Sequence, residues 1–185
     1  MLKMQQRLDG RNIPFEVLEA VDFQQTPISQ DKLSHTEYCC LQSHKKALVG
    51  NHECLTILED DVIFHHDFTN RFKSFMCKVP DWDGIMWGCV HMTLPKFVNP
   101  QVVQCTYTLG AYAFTVKPHV AAELIAMYEV GDKQSDVCIG ELQSKYKFYA
   151  PTEGLIGVEK DWSDVKQMVY NPKTFYLRDN FRYRD

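Results

Sequence analysis

The sequence has no long apolar run, no strong excess of one charge and no repeated or low-complexity tract. No stretch approaches the roughly 20 apolar residues that a membrane helix needs, and the first residues lack the apolar core of a signal peptide. The net charge of −4 gives no general attraction to nucleic acid or to anionic membranes. We therefore expect a cytoplasmic protein with no membrane span and no nucleic-acid partner.

The seven cysteines do not follow the spacing of a disulfide framework or of a common zinc motif. Their number is odd and Cys39 and Cys40 are adjacent, which favours reduced thiols. No CxxC or HxxxH spacing occurs, although a zinc site is conceivable. Its candidate ligands are Cys40, His44, His52, Cys54, Cys89 and His91.

Length and composition indicate a single α/β domain. A chain of 185 residues with 45% hydrophobic and 24% charged side chains can bury roughly 70% of its unfolded surface. Helical patterns alternate with short strand patterns, which predicts a mixed sheet flanked by helices. We assign residues 1–171 to this domain and 172–185 to a basic, aromatic tail. That tail either stacks on an acceptor or nucleic acid, or forms a terminal strand with a solvated end.

Local signals place several elements along the chain. The pattern predicts a strand at 13–21, and a capping box from Ser34 to Glu37 opens a helix that carries His44 on its buried face. Residues 102–108 and 112–116 are predicted to form an antiparallel or edge pair of strands.

The strongest chemical signal is the run of three carboxylates Glu59, Asp60 and Asp61. Residues 55–58 fit a buried strand, which delivers these acids at the edge where open α/β sheets bind ligands. Packed acids repel one another, so a cation is their natural partner, and oxygen ligands favour Mg²⁺ or Mn²⁺ over zinc. A solvated acidic turn is the structural alternative. A Mg²⁺-dependent phosphoesterase is a further function that such acids could serve.

Six short motifs occur in a consistent order. They are FEVLEAVD (15–22), EYCCLQSH (37–44), LEDDV (58–62), WDGIM (82–86), GAYAF followed by AA (110–122) and SDV (163–165). Together they resemble glycosyltransferase family 25, which includes lipopolysaccharide-biosynthesis and collagen glucosyl- or galactosyltransferases. The resemblance covers nearly the whole chain, and LEDDV with SH is its most specific pair.

The resemblance implies a GT-A-like fold with a mixed, mostly parallel sheet. It also implies that a hexose, galactose or glucose, passes with inversion from a UDP-sugar to a glycan or protein-linked acceptor, with Mn²⁺ (or Mg²⁺) as cofactor. On this interpretation Asp61 is a direct metal ligand and Asp60 a second ligand or a ribose contact. Glu59 then orients the donor or supports the metal ligands.

Four further residues are assigned roles on the same basis. Asp136 is the best candidate for the catalytic base, with a helix N-cap as the alternative. Ser43 and His44 brace the acidic motif or touch the donor, whereas a core position is the alternative for His44. Asp164 closes the pocket or caps a turn.

The sequence departs from the family at its start. Family members begin with a strand carrying Asn-Leu and Arg, and no such strand precedes the first helix here. We therefore expect the first strand to be missing from the sheet and the donor pocket to be weakened. The competing hypothesis is a catalytically inactive relative that acts as a binding or scaffold module.

Overall fold

The computed structural model describes residues 2–22, 24, 32–50, 53–159, 161–163 and 168–170 of the chain. Helices and short strands alternate along these residues. The helices are α1 (Leu2–Asp9), α2 (His35–Leu48), α3 (Phe68–Met76), α4 (Pro118–Val130) and α5 (Ser135–Leu142). The strands are β1 (Leu55–Leu58), β2 (Val62–Phe64), β3 (Gly84–Met86), β4 (Val90–His91), β5 (Lys96–Asn99), β6 (Val102–Gln104), β7 (Thr108–Leu109), β8 (Ala113–Val116), β9 (Phe148–Pro151), β10 (Ile156–Val158), β11 (Asp161–Ser163) and β12 (Met168–Tyr170).

The main sheet has six strands in the order β1-β8-β3-β9-β6-β5. Only β3 and β9 pair in parallel, so the prediction of a mostly parallel sheet is wrong. The strands β1, β3 and β9 do run in the same direction, but β8 lies between β1 and β3 and runs against both. Three two-stranded ribbons, β2–β10, β4–β7 and β11–β12, complete the described strands.

Strand β1 forms one edge of the main sheet. Of its four residues only Ile57 is buried, so the prediction of a buried strand is wrong at this position. An edge strand has a neighbour on one side only, and solvent therefore reaches part of its surface. The acidic run that follows β1 lies at this partly exposed edge.

Two hydrophobic clusters cover opposite faces of the main sheet. Met86 and Phe114 face a cluster built with α2, α4 and α5, whereas the preceding residues Ile85 and Ala113 face a cluster that includes side chains of α1 and α3. Successive side chains of a strand point to opposite faces, which explains this division. The predicted mixed sheet flanked by helices is confirmed. None of the described helices is both long and apolar enough to cross a membrane.

The N-terminus of α2 confirms the predicted capping box. The Ser34 hydroxyl accepts a hydrogen bond from the backbone N–H of Glu37 at 3.3 Å, and the Glu37 carboxylate accepts one from the backbone N–H of Ser34 at 2.8 Å. Two backbone donors that the helix cannot satisfy are thereby paired. This cap fixes where α2 begins, and with it the face that carries His44.

Residues 13–21 do not form the predicted strand. Phe15 and Val17 are exposed at 38% and 50%, and the segment runs along α2 without pairing with a described strand. The backbone N–H of Val21 instead donates to the Ser43 hydroxyl at 2.9 Å. Strand propensity requires a neighbouring strand before it becomes structure, and this segment has none among the described residues.

The predicted pairing of 102–108 with 112–116 is also wrong. The first segment divides into β6 and β7, and β6 pairs with β5 and β9. The second segment becomes β8, which pairs with β1 and β3. After β6 the backbone N–H of Cys105 donates to the carbonyl of Phe148 at 2.9 Å, which extends the contact with β9 by one residue before β7 begins at Thr108. Alternation identified the strands but could not identify their partners.

Candidate functional site

The three carboxylates of Glu59, Asp60 and Asp61 lie in a tight turn between β1 and β2. The backbone N–H of Glu59 donates to the carbonyl of Tyr112 at 2.8 Å, and the N–H of Val62 donates to the carbonyl of Glu59 at 3.4 Å. The first bond continues the contact between β1 and β8, and the second closes the turn. The acids thus follow the end of β1 as predicted, in a turn that leads from the main sheet into the β2–β10 ribbon.

Asp61 has an electrostatically unfavourable environment. It is half-buried, and its Oδ1 atom is buried with no hydrogen-bond partner among the described residues. Burial, together with the negative charges of Glu59, Asp60 and Glu159, raises the pKa of Asp61 to about 6. A carboxylate that faces other acids and has one buried oxygen without a partner is relieved by a bound cation. The side chain that sequence reasoning assigned to the metal is therefore suited to that role.

Glu159 is the fourth acid near this turn, and basic side chains of α1 compensate its charge. The backbone N–H of Glu159 donates to the carbonyl of Asp61 at 2.9 Å. The Glu159 carboxylate forms ion pairs with Arg7 and, at 3.8 Å, with Lys3. Arg7 also donates to the carbonyl of Val62 at 2.7 Å. Sequence reasoning missed both Arg7 and Glu159, because neither belongs to a motif and only the fold brings them to the turn.

Glu59 has a cationic partner in His44. The Nε2 atom of His44 lies 3.2 Å from Oε1 of Glu59, and the imidazole stacks on the ring of Phe114 with centroids 6.0 Å apart and planes at 10°. Burial opposes protonation of His44, but contacts with Cys40 and Glu59 outweigh it and raise its pKa to about 10. His44 is therefore buried and also bonded to the acidic turn, so its two predicted roles are compatible.

Cys40 joins the pair formed by His44 and Glu59. The sulfur, imidazole and carboxylate ligand atoms of these three residues all lie within 4.8 Å of one another. Cys40 and His44 are one helical turn apart and hence on one face of α2. That spacing is visible in the sequence, whereas the approach of Glu59 depends on the packing of α2 against β1. Of the zinc candidates, His52 lies outside the described residues.

Ser43 is engaged in contacts with the backbone. Its hydroxyl accepts from the N–H of Val21 at 2.9 Å and donates to the carbonyl of Cys39 at 2.8 Å. These bonds fasten the segment before α2 to the helix. Its role toward the donor stays a prediction.

Asp136 lies in the first turn of α5, and Gln134 occupies the N-cap, so the N-cap alternative for Asp136 is wrong. Burial, with the nearby Cys138, Cys40 and Asp136, raises the pKa of the Tyr128 phenol. Cys40 and Asp136 thus lie close to one buried tyrosine, on the side of the sheet that α2, α4 and α5 cover. The role of Asp136 as a base stays a prediction. Asp164 and the tail 172–185 lie outside the described residues.

The acidic turn is an open feature of the described surface. A cavity of about 260 Å³ has its walls at β5, β6 and the loop after α5, and a second of about 180 Å³ lies between the end of α2 and α4. The acids line neither of these cavities. Asp60 is exposed at the surface of the turn. The turn is therefore accessible to a ligand from solvent.

Residues 2–93 match the family model described as glycosyltransferase family 25 (LPS biosynthesis protein). No curated protein matches the chain. The matched range contains the motifs at 15–22, 37–44, 58–62 and 82–86, and with them Ser43, His44 and the acidic turn. It ends before the motifs at 110–122 and 163–165, and before Asp136.

Proposed function

The chain belongs to glycosyltransferase family 25 through residues 2–93, and we propose that it transfers a hexose, galactose or glucose, from a UDP-sugar to a glycan or protein-linked acceptor. Membership of this family supports glycosyltransferase activity. Such an enzyme needs a sugar donor and an acceptor. The UDP carrier, the hexose, the inverting course and a GT-A-like donor site are our proposals. The observation that carries them is the half-buried Asp61 carboxylate, which faces other acids and has one oxygen that no described residue pairs.

Asp61 and Asp60 would hold Mn²⁺ or Mg²⁺ at this turn. Such ions commonly take one or two carboxylates from the protein and fill their other positions with water and substrate phosphates. When bound, the ion supplies positive charge that stabilises the diphosphate as it leaves. An open turn with one orphaned carboxylate oxygen fits this partial set of protein ligands better than it fits a closed metal cage.

The remaining residues have separate tasks in this proposal. His44 holds the Glu59 carboxylate beside the metal ligands, so that Glu59 can orient the donor. Asp136 accepts the proton of the acceptor hydroxyl, and Asp164 closes the pocket. Inversion needs one such base and no covalent intermediate. The free cysteines suit a reducing compartment, and we place the reaction in the cytoplasm.

Ligand-dependent stabilisation tests the proposal. A ligand that binds only the folded state stabilises it, by about 2.7 kcal/mol at a concentration of 100 times its Kd. We expect Mn²⁺ and UDP together to raise the melting temperature more than either does alone, and Asp61→Asn to abolish the joint effect. Asp81→Asn is the control, because Asp81 is exposed and pairs with Lys117.

The same measurement distinguishes the competing hypothesis. A joint effect without release of UDP from UDP-galactose or UDP-glucose would support an inactive relative that acts as a binding module. No shift with Mn²⁺ and any nucleoside diphosphate would contradict donor binding at this turn.

A further inference from the structure

One cluster of side chains contains a thiol, which the proposed glycosyltransferase reaction does not use, beside two residues of the proposed donor site. It consists of Cys40, His44 and Glu59, which we call the thiol cluster. Among the described residues, it is the one set of three His, Cys, Asp or Glu side chains whose ligand atoms approach one another within 4.8 Å. Glu59, Asp60 and Asp61 together form no such set, although they are neighbours in sequence.

The spacing of the thiol cluster is close to that of a metal site. Zinc binds sulfur at about 2.3 Å and nitrogen or oxygen at about 2.0–2.2 Å, so the ligand atoms of a tetrahedral site are roughly 3.3–3.6 Å apart. The distance from His44 Nε2 to Glu59 Oε1 is already 3.2 Å. All the ligand atoms lie within 4.8 Å of one another, so no separation has to shorten by more than about 1.2–1.5 Å, which side-chain rotation can provide.

The imidazole is positioned for coordination. His44 is only 5% exposed, and its stacking on Phe114 fixes the plane of the ring. Its Nε2 atom, which lies 3.2 Å from Oε1 of Glu59, would be the nitrogen that binds the metal. The stacking therefore holds this nitrogen on the side of the ring where the Glu59 carboxylate lies.

The three proposed ligands lie on two different elements of the fold, so a bound metal would connect these elements. Cys40 and His44 are one turn apart on α2, and Glu59 directly follows β1. Cys40 is half-buried and the Glu59 side chain is 39% exposed, so solvent and a cation can reach the cluster. A cation bound here would join the helix to the strand end that carries Asp60 and Asp61.

We propose that Cys40, His44 and Glu59 bind a thiophilic divalent cation of the Zn²⁺ class. A thiolate and an imidazole select such an ion over Mn²⁺ or Mg²⁺, which prefer oxygen ligands. On binding, the Cys40 thiol and the His44 imidazolium each release one proton to solvent, the sulfur and the Nε2 atom bond to the metal, and the Glu59 carboxylate exchanges its hydrogen bond with His44 for a bond to the metal. Water fills the fourth position. The proposal does not depend on nucleotide-sugar binding.

Cobalt substitution tests the ligand set. One equivalent of Co²⁺, added to the metal-free full chain, should produce the near-ultraviolet absorption of a cobalt–thiolate bond, which Zn²⁺ removes and Mn²⁺ does not. Cys40→Ser should abolish the band, and Glu59→Gln should weaken Zn²⁺ binding at least about tenfold, since losing even an outer partner costs about 10–100-fold. Cys54→Ser and Asp61→Asn are the controls that should keep the band, because Cys54 is exposed and Asp61 is outside the cluster.

A second measurement needs no variant and therefore does not depend on whether Cys40→Ser folds. Zn²⁺ should slow alkylation of Cys40 in the wild-type protein and leave alkylation of the exposed Cys54 and Cys77 unchanged, as read by mass spectrometry of the labelled peptides. Equal labelling of Cys40 with and without Zn²⁺ would overturn the proposal. Absence of the cobalt–thiolate band in the folded wild type would overturn it as well.

Discussion

Glu59 and Asp61 are two residues apart in one turn, yet their surroundings differ in charge. Glu59 faces the protonated imidazole of His44, which α2 supplies from the covered side of the sheet. Asp61 faces other acids and has a buried oxygen without a partner in the described part of the chain. The protein therefore compensates the first carboxylate internally and leaves the second to be compensated from outside. This difference is the basis on which we propose Asp61, rather than Glu59, as a ligand of the catalytic cation.

The largest expected effect follows from neutralising the uncompensated acid. Asp61→Asn keeps the shape of the side chain but removes a negative ligand, so Mn²⁺-dependent release of UDP from the donor should fall on the order of 100-fold. Folding should be preserved, because the substitution also relieves repulsion within the turn. Steady-state assays with added Mn²⁺ and thermal unfolding measure the two effects. Full Mn²⁺-dependent turnover in this variant would remove the turn from the mechanism.

The second effect concerns His44, the residue that compensates the charge of Glu59. His44→Ala removes the partner of Glu59, the stacking on Phe114 and a buried ring, so the free energy of unfolding should fall on the order of 1–3 kcal/mol. His119→Ala is the matched control, since that ring forms a hydrogen bond with Asp83 at the surface and should contribute roughly 0–1 kcal/mol. Urea denaturation of both variants checks this. Equal losses of unfolding free energy in the two variants would show that the burial of His44 and its contact with Glu59 contribute no more than the contacts of a surface histidine.

The third effect is a pH dependence of the stability of the folded protein, to which Asp61 and His44 contribute in different pH ranges. The pKa of Asp61 is raised from 3.8 to about 6, so the folded protein holds a proton there that the unfolded chain releases, and stability falls as pH rises through about 4 to 6. The pKa of His44 is raised from 6.5 to about 10, so its stabilising charge is fully present below about 6.5 and is lost as pH rises toward 10.

Two variants, Asp61→Asn and His44→Ala, distinguish these two pH ranges. The difference in unfolding free energy between wild type and Asp61→Asn should shift in favour of the variant between about pH 4 and 6, and then remain level. The difference between wild type and His44→Ala should shrink between about pH 6.5 and 10. Differences that do not change with pH would contradict the environments described for these side chains.

Part of this arrangement could be predicted from the sequence. The acidic run, the capping box before α2 and the buried face that carries His44 depend on local patterns, and these predictions hold in the structure. The contact of His44 with Glu59 joins α2 to β1, and no local pattern specifies how a helix packs against a strand. Sequence reasoning therefore found both residues without finding the bond between them.

The sheet shows the same limit. The insertion of β8 between β1 and β3 makes most pairings antiparallel, and strand propensity has no information about which neighbour a strand chooses. Residues 13–21 illustrate the converse, because their alternating apolar residues lack a strand to pair with among the described residues. Partner choice, rather than strand identity, is what the sequence alone did not reveal.

We expect Asp61 to bind the catalytic Mn²⁺ ion and Glu59 not to bind it. Titration of Mn²⁺ in the presence of UDP, followed by the electron paramagnetic resonance of free Mn²⁺, measures this directly on wild type, Asp61→Asn and Glu59→Gln. We predict that Asp61→Asn weakens Mn²⁺ binding at least about tenfold, since it removes a charged ligand, whereas Glu59→Gln changes it much less. Equal Mn²⁺ affinity in wild type and Asp61→Asn, or a larger loss in Glu59→Gln, would contradict the account.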